Sequence, residues 1–140
     1  MKIPDTDILA LFRGSGKCEM CGKQCRQREP SHLWGKGHGG GFTLNIRINL
    51  MAMGSTPNFC CQCHNEHHQG KIGVAEMVEK VAKREKETED DITDVIFALH
   101  AVPPRLSESR IERFLLDWPL GETAIILAKK TLVEAKVLGS

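Results

Sequence analysis

Aromatic side chains are scarce in this sequence, at 5% of the chain, so whatever core it builds must be mostly aliphatic. Long apolar runs are missing too. The opening segment, MKIPDTDILALFRGSGK, sets acidic residues ahead of a short apolar stretch, which fits neither a secretory signal nor a membrane span. This predicts a cytoplasmic protein with no membrane partner, and in a reducing compartment cysteines are metal ligands or catalytic groups more often than disulfides. No internal repeat is visible, and 26% charged against 41% hydrophobic residues excludes wholesale disorder. At 140 residues the chain is too short for two domains of usual size. One compact unit with an appended part is expected.

The charges are unevenly spread. Residues 1–71 carry 9 Lys and Arg against 5 Asp and Glu, whereas residues 72–140 carry 10 against 13. The first half is therefore the better candidate for contact with a phosphate backbone. It also holds every cysteine, five of the six histidines and most of the glycines, including the turn-like GKGHGGG at 35–41. Such a segment has little apolar area to bury and needs a metal to hold it. Beyond Gly70 helical patterns take over. Val74, Met77, Val78 and Val81 share one face of a helix over 73–87, and the acidic run Glu85 to Asp91 marks a bend. A second helix is expected from Ile92 to Ala101, stopped by Pro103-Pro104, and a third from an N-cap at Ser107 to Asp117. A fourth should carry Pro119 in its first turn and run to Val137. Two apolar helical faces in so short a chain either pair between two copies, as a homodimer, or close on the N-terminal segment. The expected division is 1–71 and 72–140.

Cys18-Glu19-Met20-Cys21 precedes Gly22, and a second CxxC, Cys60 and Cys63, follows after 38 intervening residues. A two-residue spacer lets both sulfurs of a tight turn reach one ion at about 2.3 Å, and two such knuckles complete a tetrahedron around structural zinc. Cys25 and Cys61 are left over and are expected to be free thiols, Cys61 pointing away from the metal. Directly after the second knuckle comes HNEHHQG. If a helix starts there, His64 and His68 lie four apart on one face and can share a cation, with His67 pointing elsewhere. Upstream, Pro30-Ser31-His32-Leu33 precedes the glycine-rich turn and then a strand-like FTLNIRINL.

CEMCGK, SHLWGKGHGGG, NLMAM and CCQCHNEHHQG, taken in order, resemble the HNH nuclease family of the zinc-bound type, over roughly residues 17–70. The resemblance implies an α+β fold in which a small zinc-stapled ββα-metal core, treble-clef-like, precedes an α-helical extension. It implies a DNA endonuclease in which His32, on a strand of a β-hairpin, is the general base. His64 and His68 would hold Mg²⁺ or another divalent ion, and Asn49 would tether the hairpin loop and so aim His32. The resemblance extends to small phage and prophage proteins of this kind, which implies phage DNA recombination, replication or packaging in the bacterial host cytoplasm. The chemistry asks for the same parts independently. A phosphodiester is a repelling anion with a poor leaving group, which a neutral imidazole and a cation address together.

Three features depart from the family pattern. Ser31 stands where many members carry a metal-ligating Asp or His. The insertion GSTPNF makes Asn58 a rival of Asn49. His38 has no fixed family role and reads as a turn residue. Basic residues Arg28, Lys36, Arg47 and Lys71, with Lys23 and Arg26, are candidates for phosphate contact. Trp34 stacks on a base or packs against the knuckle. The competing function is a non-catalytic zinc-finger module that binds DNA or protein, and a weaker alternative reads DNA through a helix-turn-helix over 91–117.

Overall fold

The computed structural model describes residues 6–35, 44–55, 61–102, 106–135 and 138–139. After a short helix α1 (Thr6–Ala10) come strands β1 (Gly14–Lys17), β2 (Gln24–His32) and β3 (Leu50–Gly54), then helices α2 (Cys63–His68), α3 (Val74–Glu85), α4 (Glu89–His100), α5 (Glu108–Asp117) and α6 (Glu122–Glu134). The sheet is antiparallel in the order β1-β2-β3. The architecture is α+β, as the sequence implies. Pro30 falls in the central strand, where it would remove a ladder bond. It is tolerated because β1 pairs with β2 only as far as Arg28, so the far edge of β2 is open beside Pro30, which faces Ala52 of β3 on the other side.

β3 is buried along its whole length, and its sequence LMAMG reads accordingly as an unbroken apolar run. Before it, the predicted strand over FTLNIRINL does not form as such. Residues 42 and 43 lie outside the described residues, Arg47–Asn49 make a 3₁₀ turn, and only Leu50 enters the sheet. The turn puts Ile48 and Asn49 inward together, which strict alternation forbids.

The helices bury the faces that their periodicity marks: Met77, Val78, Val81 and Ala82 on α3, Ile92, Val95, Ile96 and Leu99 on α4, and Leu127, Ala128, Thr131 and Leu132 on α6. These side chains and those of β3 form one hydrophobic cluster spanning both halves of the chain. It is aliphatic, and Phe12 is its one fully buried aromatic among the described residues. No helix among them is long and apolar enough to cross a membrane.

Two helix starts differ from expectation. α4 begins at Glu89, inside the acidic run, because Thr88 caps it by accepting from Asp91 N at 3.1 Å and three acids in its first turn meet the positive end of the helix dipole. α6 begins at Glu122 with Gly121 as N-cap, leaving Pro119 outside the helix, and it ends at Glu134. Trp118, preceding the proline, is extended as such residues must be. Ser107 does stand at the N-cap position of α5, which ends at Asp117, but its side chain makes no capping bond and its hydroxyl lies 3.3 Å from that of Ser109.

Arg84 stitches the helices to the sheet. From α3 it donates to both carboxylate oxygens of Glu19, at 3.1 and 3.0 Å, to Leu50 O at 2.9 Å and to Arg47 O at 2.6 Å. Glu19 in turn pairs with Ala52 of β3 through its backbone N–H at 2.8 Å and its carboxylate at 2.7 Å. The segment after Cys18 is thereby bound to the sheet and to α3 at once.

Candidate functional site

Four thiols come together: the Sγ atoms of Cys18, Cys21, Cys61 and Cys63 all lie within 4.8 Å of one another. The first pair sits on a turn closed by two bonds of 2.8 Å, Gly22 N to Cys18 O and Cys18 N to Lys23 O. Gly22 takes a φ of +80°, a left-handed value that an L side chain would strain. Cys63 opens α2, so the same sulfur cluster anchors that helix. Sulfurs at about 2.3 Å from a tetrahedral zinc are about 3.8 Å apart. The cluster needs only slight closure to hold such a metal.

Two expectations change here. Cys61, expected to point away, belongs to the cluster: it lies ahead of α2 in non-helical backbone, so the alternation implied by a CxxC turn does not apply. Cys25, expected as a free thiol, is buried and disulfide-bonded. Its burial on β2 keeps it away from the bulk thiol pool on which that expectation rested. Cys60 lies outside the described residues.

The thiols titrate unevenly. Burial pushes the Cys63 thiol far up, and the neighbouring Cys61, Cys18 and Cys21 sulfurs push it the same way. Burial acts in that direction on Cys18 as well, but backbone hydrogen bonds from Cys21, Gly54 and Met20 hold it below the ordinary thiol value. The Cys18 thiolate is thus favoured while burial makes Cys61 and Cys63 resist ionising, so a cation would be needed to make those sulfurs anionic.

Beside this cluster α2 presents three histidines to the hairpin of β2 and β3. His64 and His68 face each other with their Nε2 atoms 3.2 Å apart. Nδ1 of His64 shares a short hydrogen bond with the hydroxyl of the buried Ser31. His67 turns away from the pair, as expected, but not to solvent: its Nε2 donates to His32 O at 2.8 Å, and its Nδ1 lies 3.3 Å from Ile72 O. His32 is the last residue of β2, paired across the ladder with Leu50, and its ring Nε2 meets Asn45 Oδ1 at 2.8 Å. Burial lowers the pKa of His32, Asn45 opposes that, and His68 adds to the lowering. The pKa of His64 is lowered too, by burial first and then by His68.

Asn49 is fully buried and fully used. Its Oδ1 accepts from Trp34 N at 3.0 Å, and its Nδ2 donates to Trp34 O at 3.0 Å and Leu44 O at 3.1 Å, while its backbone carbonyl takes Leu33 N at 2.9 Å. One side chain therefore clasps both flanks of the segment 36–43. Trp34 packs edge-on against Phe97 of α4, with ring centroids 5.1 Å apart, rather than on the cysteine turn.

The basic candidates divide. Arg28 crosses β1, donating to Gly14 O, Lys17 O and Arg13 O at 3.2 to 3.4 Å, so close to Gly16 that a Cβ there would lie 2.7 Å from its guanidinium carbon. Arg47 makes a two-pronged ion pair with Glu85, at 2.9 and 3.2 Å. It lines a groove of about 430 Å³ in which Lys130 is matched by Glu134, so the groove's charges balance. Lys23, Arg26 and Lys71 are exposed, without an ion-pair partner among the described residues. Lys36, His38 and Asn58 lie outside them.

Two residues escaped the sequence reading: Asn45 holds the ring of His32 and Arg84 holds the knuckle. Ser31, read there only as a missing metal ligand, is the hydrogen-bond partner of His64. The alternation of Leu44, Asn45 and Ile46 was the one available signal for Asn45, since it directs the amide away from the core. No family model, curated protein or solved structure matches the chain.

Proposed function

We propose that the protein is a metal-dependent DNA endonuclease that hydrolyses phosphodiester bonds, with structural zinc on the cysteine cluster. The observation that carries this reading is the approach of His64 Nε2 and His68 Nε2 to 3.2 Å on a helix packed against the strand that ends in His32. Two imidazole nitrogens at 2.0–2.1 Å from a tetrahedral ion are about 3.3 Å apart. Without a cation that approach sets lone pair against lone pair or spends one N–H on the other ring. The order of parts, strand with His32, strand, helix with His64 and His68, is that of a ββα-metal core.

Each residue then has a chemical task. With Nε2 of His64 on a metal the proton sits at Nδ1 and is donated to the Ser31 hydroxyl, which holds the side chain in one orientation. The serine in the place of a family carboxylate serves here as a partner of a ligand. The ion is left with two protein ligands among the described residues, and water and the phosphate itself would supply the others. When bound, a divalent cation there would neutralise charge on the phosphate and on the leaving 3′ oxygen. His32 takes a proton from the attacking water, whose oxygen bonds to phosphorus as the bond to the 3′ oxygen breaks. Burial suits His32 to this, since it keeps the ring neutral, and so free to accept a proton, near neutral pH. Asn49 holds the segment after His32 against Leu44 and so limits how far the base can drift.

DNA would be bound by the exposed Lys23, Arg26 and Lys71, with Lys36 nearby in sequence, giving affinity that falls with salt. Arg28 and Arg47 have their donors largely committed inside the protein. That observation favours the second reading, a zinc-stapled binding module, because it thins the basic surface. Plasmid cleavage decides between them. With Mg²⁺, Mn²⁺, Ni²⁺ or Zn²⁺ added, nicking by the wild type should vanish in His32→Ala at matched zinc content. A folded, zinc-loaded wild type that cuts neither plasmid nor branched DNA would leave the binding module.

A further inference from the structure

We infer that Asn45 is a positioning residue that locks His32 in the tautomer protonated at Nε2, leaving Nδ1 as the basic nitrogen. The use of that nitrogen as a base rests on the nuclease reading, but the tautomer does not. Asn45 Oδ1 is 2.8 Å from His32 Nε2, and an amide oxygen only accepts, so the ring must donate. A neutral imidazole has one N–H. Committing it at Nε2 strips Nδ1 of its proton.

The surroundings make this a fixed arrangement. Asn45 lies between Leu44 and Ile46, both fully buried, whose side chains anchor the backbone on either side of it. Leu44 O is held by Asn49 Nδ2 at 3.1 Å, and Ile46 O accepts from Asn49 N at 3.0 Å. On the other side, His67 Nε2 grips His32 O at 2.8 Å. The ring and the backbone of His32 are thus held by different elements, the ring by the segment entering β3 and the backbone by α2. A side chain that only packed would not meet the ring through an acceptor atom, and this one does.

The test uses the full-length, zinc-loaded protein labelled with ¹⁵N at histidine. Long-range proton–nitrogen spectra at pH 8 should show His32 protonated at Nε2 in the wild type. In Asn45→Ala the ring should populate both tautomers, and the maximal cleavage rate should fall about 10- to 100-fold, the usual cost of losing a partner that orients a functional histidine, with KM little changed. Asn45→Asp keeps an acceptor oxygen at the same place. It should retain the Nε2–H tautomer and move the acid limb of the rate upward, because a carboxylate on that N–H favours the charged ring. Zinc content and circular dichroism identify a misfolded Asn45→Ala, in which case Asn45→Leu and the aspartate variant carry the comparison. His32 protonated at Nδ1 in the wild type, or the same tautomer with and without the Asn45 oxygen, would overturn the proposal. A wild type that shows the Nε2–H tautomer yet cuts no DNA removes the nuclease reading and leaves Asn45 as the ring's partner.

Discussion

The pKa of His32 is lowered because its half-buried ring loses hydration as a cation, a loss that the Asn45 hydrogen bond only partly offsets and that His68 reinforces. Two pH effects follow, both with the same sign. As pH falls below the ordinary value of 6.5, the unfolded chain takes up a proton that the folded ring refuses until lower pH. His32 therefore contributes stability that is fully present above 6.5 and lost as pH falls from there through the lowered folded value. On the nuclease reading proposed above, His32 as the base likewise stays neutral to lower pH than a free imidazole. The acid limb of the cleavage rate should be centred below pH 6.5, and a limb centred above 6.5 would assign the proton transfer to another group.

Among the elements, α2 is the one that local propensity explains least. It has six residues, far fewer than an isolated helix needs, and exists because Cys63 ties its start to the sulfur cluster and His67 ties its flank to β2. The end of α3 shows the opposite, a local conflict that packing tolerates. Lys86 closes the helix in the left-handed conformation, with φ at 58°, where glycine is the unstrained residue. The strain costs roughly 1–2 kcal/mol, and the greater freedom of an unfolded glycine returns about half of that. Lys86→Gly should therefore stabilise the protein by about 0.5–1 kcal/mol and raise Tm by roughly 2–5 °C. Thermal melting by circular dichroism measures it, and an unchanged or lower Tm would mean that the lysine is unstrained there.

At the scale of the molecule the cysteine cluster joins parts that are distant in sequence. Cys18 and Cys21 are bound through Glu19 to β3 and to Arg84 of α3, while Cys61 and Cys63 lead into the histidine helix. A structural zinc contributes about 10–16 kcal/mol of apparent binding energy in small zinc-folded units, comparable with the whole stability of an ordinary domain. With zinc on the cluster as proposed, removing it with a chelator under reducing conditions should unfold α2 and the β1–β2 region, whereas α3, α4 and α6 retain the aliphatic faces they share. Hydrogen exchange should show protection lost over residues 14–32 and 61–72 and kept in α4 and α6. Equal protection with and without the metal would deny zinc its stapling role.

Much of this was legible in the residues themselves. A cysteine-rich first half followed by helices, the face of α3, the stop of α5 and the spacing that lets His64 meet His68 all follow from periodicity, capping chemistry and the 3.6-residue turn, which are local properties. What the tertiary structure alone decided concerns residues whose partners are remote. Cys61 enters the sulfur cluster, Arg47 turns to Glu85, Ser31 meets His64 across 33 positions and Asn45 meets His32 across 13. Spacing along a chain specifies which side chains share a face, but not which other face comes to cover it. That choice belongs to the burial of β3 and the helices into one aliphatic core, and it sets which polar atom each histidine finds.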